Sequence, residues 1–134
     1  MVIAILAFDL APKMKVTLID SDARKSAFLT AVKQETGIEA EILAGRAESL
    51  APMEADVLSA RALAPLPALL DHAKRHMAAD GMAVFPKGKS YEYELTAARK
   101  YWTFDLTETP SRTDPEGVIL TIRGLARVND TKTR

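Results

Sequence analysis

Residues 15–29 constrain this chain more than any other stretch. Lys15-Val16-Thr17-Leu18-Ile19-Asp20 reads as a short apolar strand that ends on an acid, and Ser21-Asp22-Ala23-Arg24-Lys25 leads straight on into a helix. Strands that alternate with helices build parallel sheets. In open sheets of that kind, ligands bind outside the carboxyl ends of the strands. An acid at such an end can accept hydrogen bonds from the two hydroxyls of a ribose, each worth roughly 1.5–3 kcal/mol when one partner is charged. The junction therefore predicts a fold class, a ligand edge and a nucleoside-bearing ligand.

The rest of the chain continues the alternation. Residues 2–8 are apolar and read as the end of a buried helix, stopped near Pro12. A helix is expected over 22–36, with Ala27, Phe28, Ala31 and Val32 as its apolar stripe and Gly37 as its stop. Residues 38–44 and 56–60 read as strands. Pro65 or Pro67 opens the next helix, whose core spacing runs through Leu66, Leu69, Leu70, Ala73 and Met77. Asp80-Gly81 turns into a strand over 82–85, and Ser90 caps a helix to about Tyr101. Residues 102–106 alternate like a half-buried strand, Asp114-Pro115-Glu116-Gly117 has the residues of a type I turn, and 118–122 returns as the last strand. The last two strands lie close together in sequence. The pattern predicts a mostly parallel sheet with an antiparallel C-terminal edge.

Length and charge set outer bounds. A chain of 134 residues fits one domain, expected over 1–128 with a polar tail over 129–134. Its 18 basic and 18 acidic residues cancel, so it lacks the basic excess of a dedicated nucleic-acid-binding domain, and RNA must be met by a local patch. There is no cysteine, which removes disulfides and thiolate chemistry and suits the cytoplasm. The apolar start is too short to span a membrane and carries Asp9, unlike a signal peptide.

Several residues have the chemistry for a site. Asp20 stands at the strand end; a helix cap or surface acid explains it about equally well, and the ribose reading suits a nicotinamide cofactor and S-adenosylmethionine alike. Gly45-Arg46-Ala47-Glu48 follows the second strand, where a backbone amide at Ala47 or Glu48 can meet an adenine edge. Arg61, in Ser59-Ala60-Arg61-Ala62-Leu63-Ala64-Pro65-Leu66, is a cation just past a strand, suited to a carboxylate or phosphate, or to a surface ion pair. Lys87-Gly88-Lys89 offers two cations for RNA phosphates, or a solvated loop. His72 and His76 are spaced as in some zinc sites, but the chain supplies no third ligand pattern, so a structural role is expected and no metal. There is no nucleophile elbow, phosphate loop or Gly-x-Gly-x-x-Gly.

Taken together, residues 2–6, 16–29, 45–50, 59–70 and 85–88 resemble the bacterial small-subunit ribosomal RNA guanine-N7 methyltransferases, formerly called glucose-inhibited division protein B. The most specific pieces are Gly-Arg-Ala-Glu and Ser-Ala-Arg-Ala-Leu-Ala-Pro-Leu, in that order behind the acidic strand end. The resemblance implies a class I S-adenosylmethionine-dependent methyltransferase with a Rossmann-like sheet, acting in the cytoplasm on 16S rRNA of the small ribosomal subunit. It implies Asp20, Ser21 and Asp22 at the ribose, Ala47 and Glu48 near the adenine, Arg61 at the cofactor or substrate end, and Lys87 facing RNA. It implies no catalytic side chain, because guanine N7 has a free lone pair and loses no proton before methyl transfer. The family carries a glycine-rich segment of the kind Gly-x-Gly-x-Gly-Phe-Pro-Gly before the residues matching 2–6. The expectation is that this chain lacks that loop and the first strand. Two strands would then keep unpaired edges, and a non-catalytic fragment that self-associates is the alternative.

Overall fold

In the computed structural model, which describes residues 14–61 and 64–128, the Asp20 junction is a strand that gives way to a helix. Strand β1 (Thr17–Asp20), helix α1 (Ala23–Thr36) and strand β2 (Glu41–Ala44) form a parallel pair joined by a helical crossover. They belong to the first of two compact units, Met1–Leu50; the second is Ala51–Arg134. The register runs from Thr17 opposite Glu41 to Asp20 opposite Ala44, so both strands end at the same level. Asp22 caps α1 by accepting the Arg24 amide at 2.8 Å. Gly37 closes it in the left-handed region, at φ 68°, and its amide reaches Lys33 O at 2.9 Å. Only glycine enters that region without steric cost.

The expected apolar stripe of α1 is rotated. Phe28 is 67% exposed, and Ala27 and Ala31 are exposed too. The face that is covered runs through Ser26, Leu29, Val32 and Lys33. The physical reason lies at the strand end: Ser26 is the one buried residue of the helix, and its hydroxyl donates to Asp20 O at 3.2 Å, which satisfies a polar group there. Ile38 and Ala40 form the small core of this unit, with Val16 and Leu18 against them.

The second unit holds β3 (Ala55–Ser59), α2 (Leu66–His76), β4 (Met77–Lys87), α3 (Tyr91–Ala98), β5 (Trp102–Pro110) and β6 (Val118–Arg127). Its sheet has the order β3-β4-β6-β5. Strands β3 and β4 are parallel, while β6 runs antiparallel to both β4 and β5. The sheet is mixed: its antiparallel pairings lie on the C-terminal side as expected, but the reversed strand β6 sits inside, between β4 and β5, and β5 takes the edge. Alternate residues of β4 (Ala83, Phe85) and β6 (Val118, Leu120, Ile122) point into one core, where they meet Leu66, Leu69, Leu70 and Ala73 of α2, Leu95 and Ala98 of α3, and Trp102. Each fully buried large aliphatic or aromatic side chain there stabilises the unit by roughly 1.5–3 kcal/mol.

Several boundaries differ from expectation: β2 starts at Glu41, β5 runs on to Pro110 and β6 to Arg127, and two further differences involve β4 and α3. Strand β4 follows α2 directly instead of starting after Asp80-Gly81. Its register with β3 jumps, Ala55 facing Met77 but Val57 facing Met82, so the Asp80-Gly81 turn survives as a bulge inside the strand. Helix α3 ends at Ala98, three residues before Tyr101, and Ser90 makes no side-chain cap bond. The chain must reverse there to start β5; Arg99 then lies over the Phe104 ring at 4.7 Å. The Asp114–Gly117 turn forms as read, with Gly117 N donating to Asp114 O at 3.0 Å. Among the described residues β1 pairs only with β2 and β3 only with β4, so each keeps an open edge. The helix expected over 2–8 and the tail over 129–134 lie outside the described residues.

Candidate functional site

The first unit brings together five of the seven candidate residues. Parallel pairing with Asp20 opposite Ala44 sends both following loops off one edge of the pair. Asp20 is half-buried, and its Oδ1 accepts the Asp22 amide at 2.8 Å. Its carbonyl accepts Gly45 N at 3.0 Å, which ties the second loop to the first. The helix cap is thus Asp22 and not Asp20, and the turn bond that Asp20 accepts is compatible with a ribose role. A carboxylate has two oxygens and about four lone-pair sites, and the turn uses one of them. Ser21 and Asp22 are exposed beside it.

The second loop is a single turn of 3-10 helix, Ala47–Ser49, with Arg46 at its N-cap. Ser49 N donates to Arg46 O at 3.0 Å and Leu50 N to Ala47 O at 3.4 Å. Ala47 is half-covered and Glu48 exposed, so both stand at the edge where Asp20 ends. The Arg46–Glu48 ion pair, at 3.8 Å, has side chains 76% and 57% exposed. Such a pair contributes under about 1 kcal/mol, so it does not fix the loop.

Arg61 and Lys87 belong to the second unit, at the carboxyl ends of β3 and β4. The parallel register, with Ser59 opposite Val84, puts both on the same edge of that sheet. Arg61 is exposed. Lys87 is not the solvent-facing cation expected for an RNA phosphate. Its side chain is 9% exposed, and its ammonium pairs with Glu94 Oε1 at 2.9 Å and donates to Ala64 O at 2.8 Å. Glu94 Oε1 also accepts the Leu66 amide at 2.7 Å. The physical reason is the start of α2: Pro65 at its N-cap supplies no side-chain acceptor, so the first amide is capped from α3 instead. Glu94 was visible in the sequence only as an acid in the first turn of a helix. The proline at the start of α2 was the signal that an acceptor must come from elsewhere.

His76 is buried in the last turn of α2 and His72 is half-buried, and no group of three metal-ligating side chains occurs among the described residues. Tyr91 donates to Glu92 Oε1 at 3.3 Å. Partial burial, with the Glu108 and Glu92 carboxylates nearby, holds its phenol above the usual tyrosine value. No helix among the described residues is long and apolar enough to cross a membrane.

Comparison with known proteins bears on this arrangement. Residues 2–115 match the family described as GidB, rRNA small subunit methyltransferase G. The ribosomal RNA small subunit methyltransferase G of Cereibacter sphaeroides is 46% identical over 127 residues, which are 95% of this chain and 62% of that protein. The chain thus spans less than two thirds of the length of such curated relatives. A methyltransferase from Pyrococcus furiosus has a similar fold, with a TM-score of 0.68 at 13% identity over 91% of this chain and 68% of that one. The TYW2 protein of M. jannaschii, solved in complex with AdoMet, gives a TM-score of 0.64 at 11% identity, covering 90% of this chain and 62% of that one.

Proposed function

The chain belongs to the rRNA small subunit methyltransferase G family, and from that premise we propose that it serves methyl transfer from S-adenosylmethionine to N7 of a guanine in 16S rRNA, in the cytoplasm. One observation carries the cofactor half of this reading. Asp20 and the Ala47–Glu48 turn leave one edge of a parallel strand pair, tied together by the Gly45-to-Asp20 hydrogen bond. That edge has the donor and acceptor set an adenosine needs: a carboxylate for ribose hydroxyls and backbone groups beside it for an adenine.

When bound, S-adenosylmethionine supplies a methyl group activated by a sulfonium. The chain's part is to hold and orient. Asp20 accepts ribose hydroxyls, with Ser21 and Asp22 beside it. Ala47 and Glu48 meet the adenine. Arg61 offers a planar cation at the cofactor or substrate end. Guanine N7 has a free lone pair, so no side chain has to remove a proton, and alignment supplies most of the rate.

Calorimetry with S-adenosylmethionine tests the reading. A folded sample that gives no binding heat overturns it for this chain. Asp20→Ala should weaken binding by at least about tenfold, the loss of one charged hydrogen bond, with the thermal midpoint unchanged. Equal affinity in the variant removes Asp20 from the site. Among the described residues β1 and β3 each pair on one side only, which favours a second reading, a chain that keeps the fold and associates with its own copies; a monomer by light scattering at high concentration excludes it.

A further inference from the structure

With Lys87 turned into the fold, other cations must meet RNA. The end of the second unit's sheet opposite Lys87 gathers several. Helix α2 finishes at His76, where β4 begins; α3 finishes at Ala98, just before β5; and β6, antiparallel to both strands, finishes at Arg127. These endings carry Lys74 and Arg75, Arg99 and Lys100, and Arg127, all exposed, with Asp71 as the acid among them. Glu54, Asp56 and Asp80 lie toward β3, the far edge of the sheet from β5. A bulge brings Arg127 to this surface. The β5–β6 register shifts between Thr103 and Asp105, which leaves one extra residue in β6, and Gly124 stands there at φ 63°. An extra residue reverses the alternation of side chains. Arg123 thus faces Met82 on one side of the sheet, while Arg127 joins Trp102 on the helix side. The Arg127 guanidinium lies over the Trp102 ring at 4.4 Å and pairs with Asp71 at 3.0 Å. Arg99 lies over Phe104 at 4.7 Å, two residues along the same edge strand. Stacking uses the flat faces of both guanidinium groups and leaves N–H donors at their rims.

We propose that Lys74, Arg75, Arg99, Lys100 and Arg127, with Tyr101, form a docking surface for the phosphate backbone of rRNA. The proposal rests on the rRNA methyltransferase reading given above and names the surface that grips the substrate. The chain as a whole has no net charge, so affinity for a polyanion has to come from a local excess of cations. Here five cations face one acid. Stability accounts for Arg99 and Arg127, since a cation over a ring contributes about 0.5–1 kcal/mol at exposed sites. It does not account for Lys100 or for Tyr101, which is 63% exposed and offers a ring on which an unpaired base can stack. Contacts of this kind position RNA and carry no sequence information, and none of these residues touches a reacting group.

The test is binding of protein-free 16S rRNA to the whole chain across a series of salt concentrations. Each phosphate contact adds roughly 0.7–0.9 to the slope of log affinity against log salt, which is roughly four- to fivefold in affinity between about 1 M and about 0.15 M salt. The triple variant Arg99→Gln, Lys100→Gln, Arg127→Gln should lower the slope by roughly 2–2.7 and weaken binding at about 0.15 M salt by at least about 50-fold. Arg123→Gln is the control. It removes the same charge from the other face of the same sheet and should leave the slope within about 0.3 of the parent, well under one contact. An unchanged slope in the triple variant overturns the surface. So does a loss per charge in Arg123→Gln equal to that in the triple variant, which marks diffuse attraction. Should the arginine changes prevent folding, Lys100→Gln alone, at an exposed side chain, must lower the slope by about one contact, and an unchanged slope there overturns the surface too. A parent that binds no 16S rRNA overturns the rRNA reading and the surface with it. A parent that binds, with variants that match it, overturns only the surface.

Discussion

Gly81 is packed so closely that a single methyl group should measure the tightness of the β3–β4 junction. A Cβ at this position would lie 2.7 Å from Met77 Cγ, 2.8 Å from Ala55 O and 3.0 Å from Ala78 O. Two of those three atoms are backbone oxygens, and Ala55 is the first rung of the β3–β4 ladder, so relief requires the strand itself to shift. Gly81 is not among the glycines with positive φ, which are Gly37 and Gly124. Alanine thus meets no conformational penalty and gains about 0.4–1 kcal/mol by stiffening the unfolded chain. Against that, overpacking a tight site costs typically about 1–3 kcal/mol. The clash wins, and Gly81→Ala should destabilise the second unit by about 1–2 kcal/mol. The assay is urea unfolding followed by the emission of Trp102, the single tryptophan, which is 2% exposed in that unit. The midpoint should fall with the slope unchanged, as for a change in stability alone. Gly88→Ala is the control: nothing lies within 4 Å of its Cβ and its φ is not positive, so its midpoint should hold or rise. A Gly81→Ala midpoint at or above that of the parent refutes the packing argument.

Other outcomes follow from the same structure. Phe85→Ala removes a fully buried ring and should lower unfolding free energy by about 3–5 kcal/mol in the same urea assay; a loss below about 1 kcal/mol, within the range of surface changes, contradicts its place in the core. Gly37→Ala meets no atom within 4 Å but keeps φ near 68°, so it should cost about 1–2 kcal/mol from backbone conformation alone, read as a lower helix melting temperature by circular dichroism. Tyr91 should ionise above the ordinary value of about 10 in an ultraviolet titration compared with Tyr91→Phe. Because its folded value is raised, its contribution to stability is complete below the ordinary value and is lost as pH climbs through the raised one. Ionisation at or below the ordinary value removes the burial and carboxylate effects assigned to it.

The sequence made the ladder of elements legible because periodicity and stop signals act locally. Gly37, Pro65 and the Asp114–Gly117 turn each settle their own neighbourhood, and the alternation at 102–106 is the alternation of β5. Local signals failed where a distant group decided. The stripe of Ala27, Phe28 and Ala31 has helical spacing, yet Ser26 turned inward because the Asp20 carbonyl at the strand end accepts its hydroxyl. Lys87 read as an exposed cation because its partner lies seven residues on and its acceptor twenty-three residues back. The bulge at Gly81 needed the position of Ala55 O. Asp20, Ala47 and Glu48 were legible as one edge because parallel strands ending together must send their loops the same way.

The remote cap on α2 also bears on the order in which the chain matures. Helix α2 lacks a side chain of its own to finish its first turn, and the acceptor for Leu66 arrives 28 residues later. At synthesis rates of about 5–20 residues per second, that interval is roughly 1–6 s on the ribosome. For that time α2 has its apolar stripe but no completed start. The two helices and β4 between them are then best regarded as one cooperative folding step, closed when Glu94 emerges, and not as three elements added in turn.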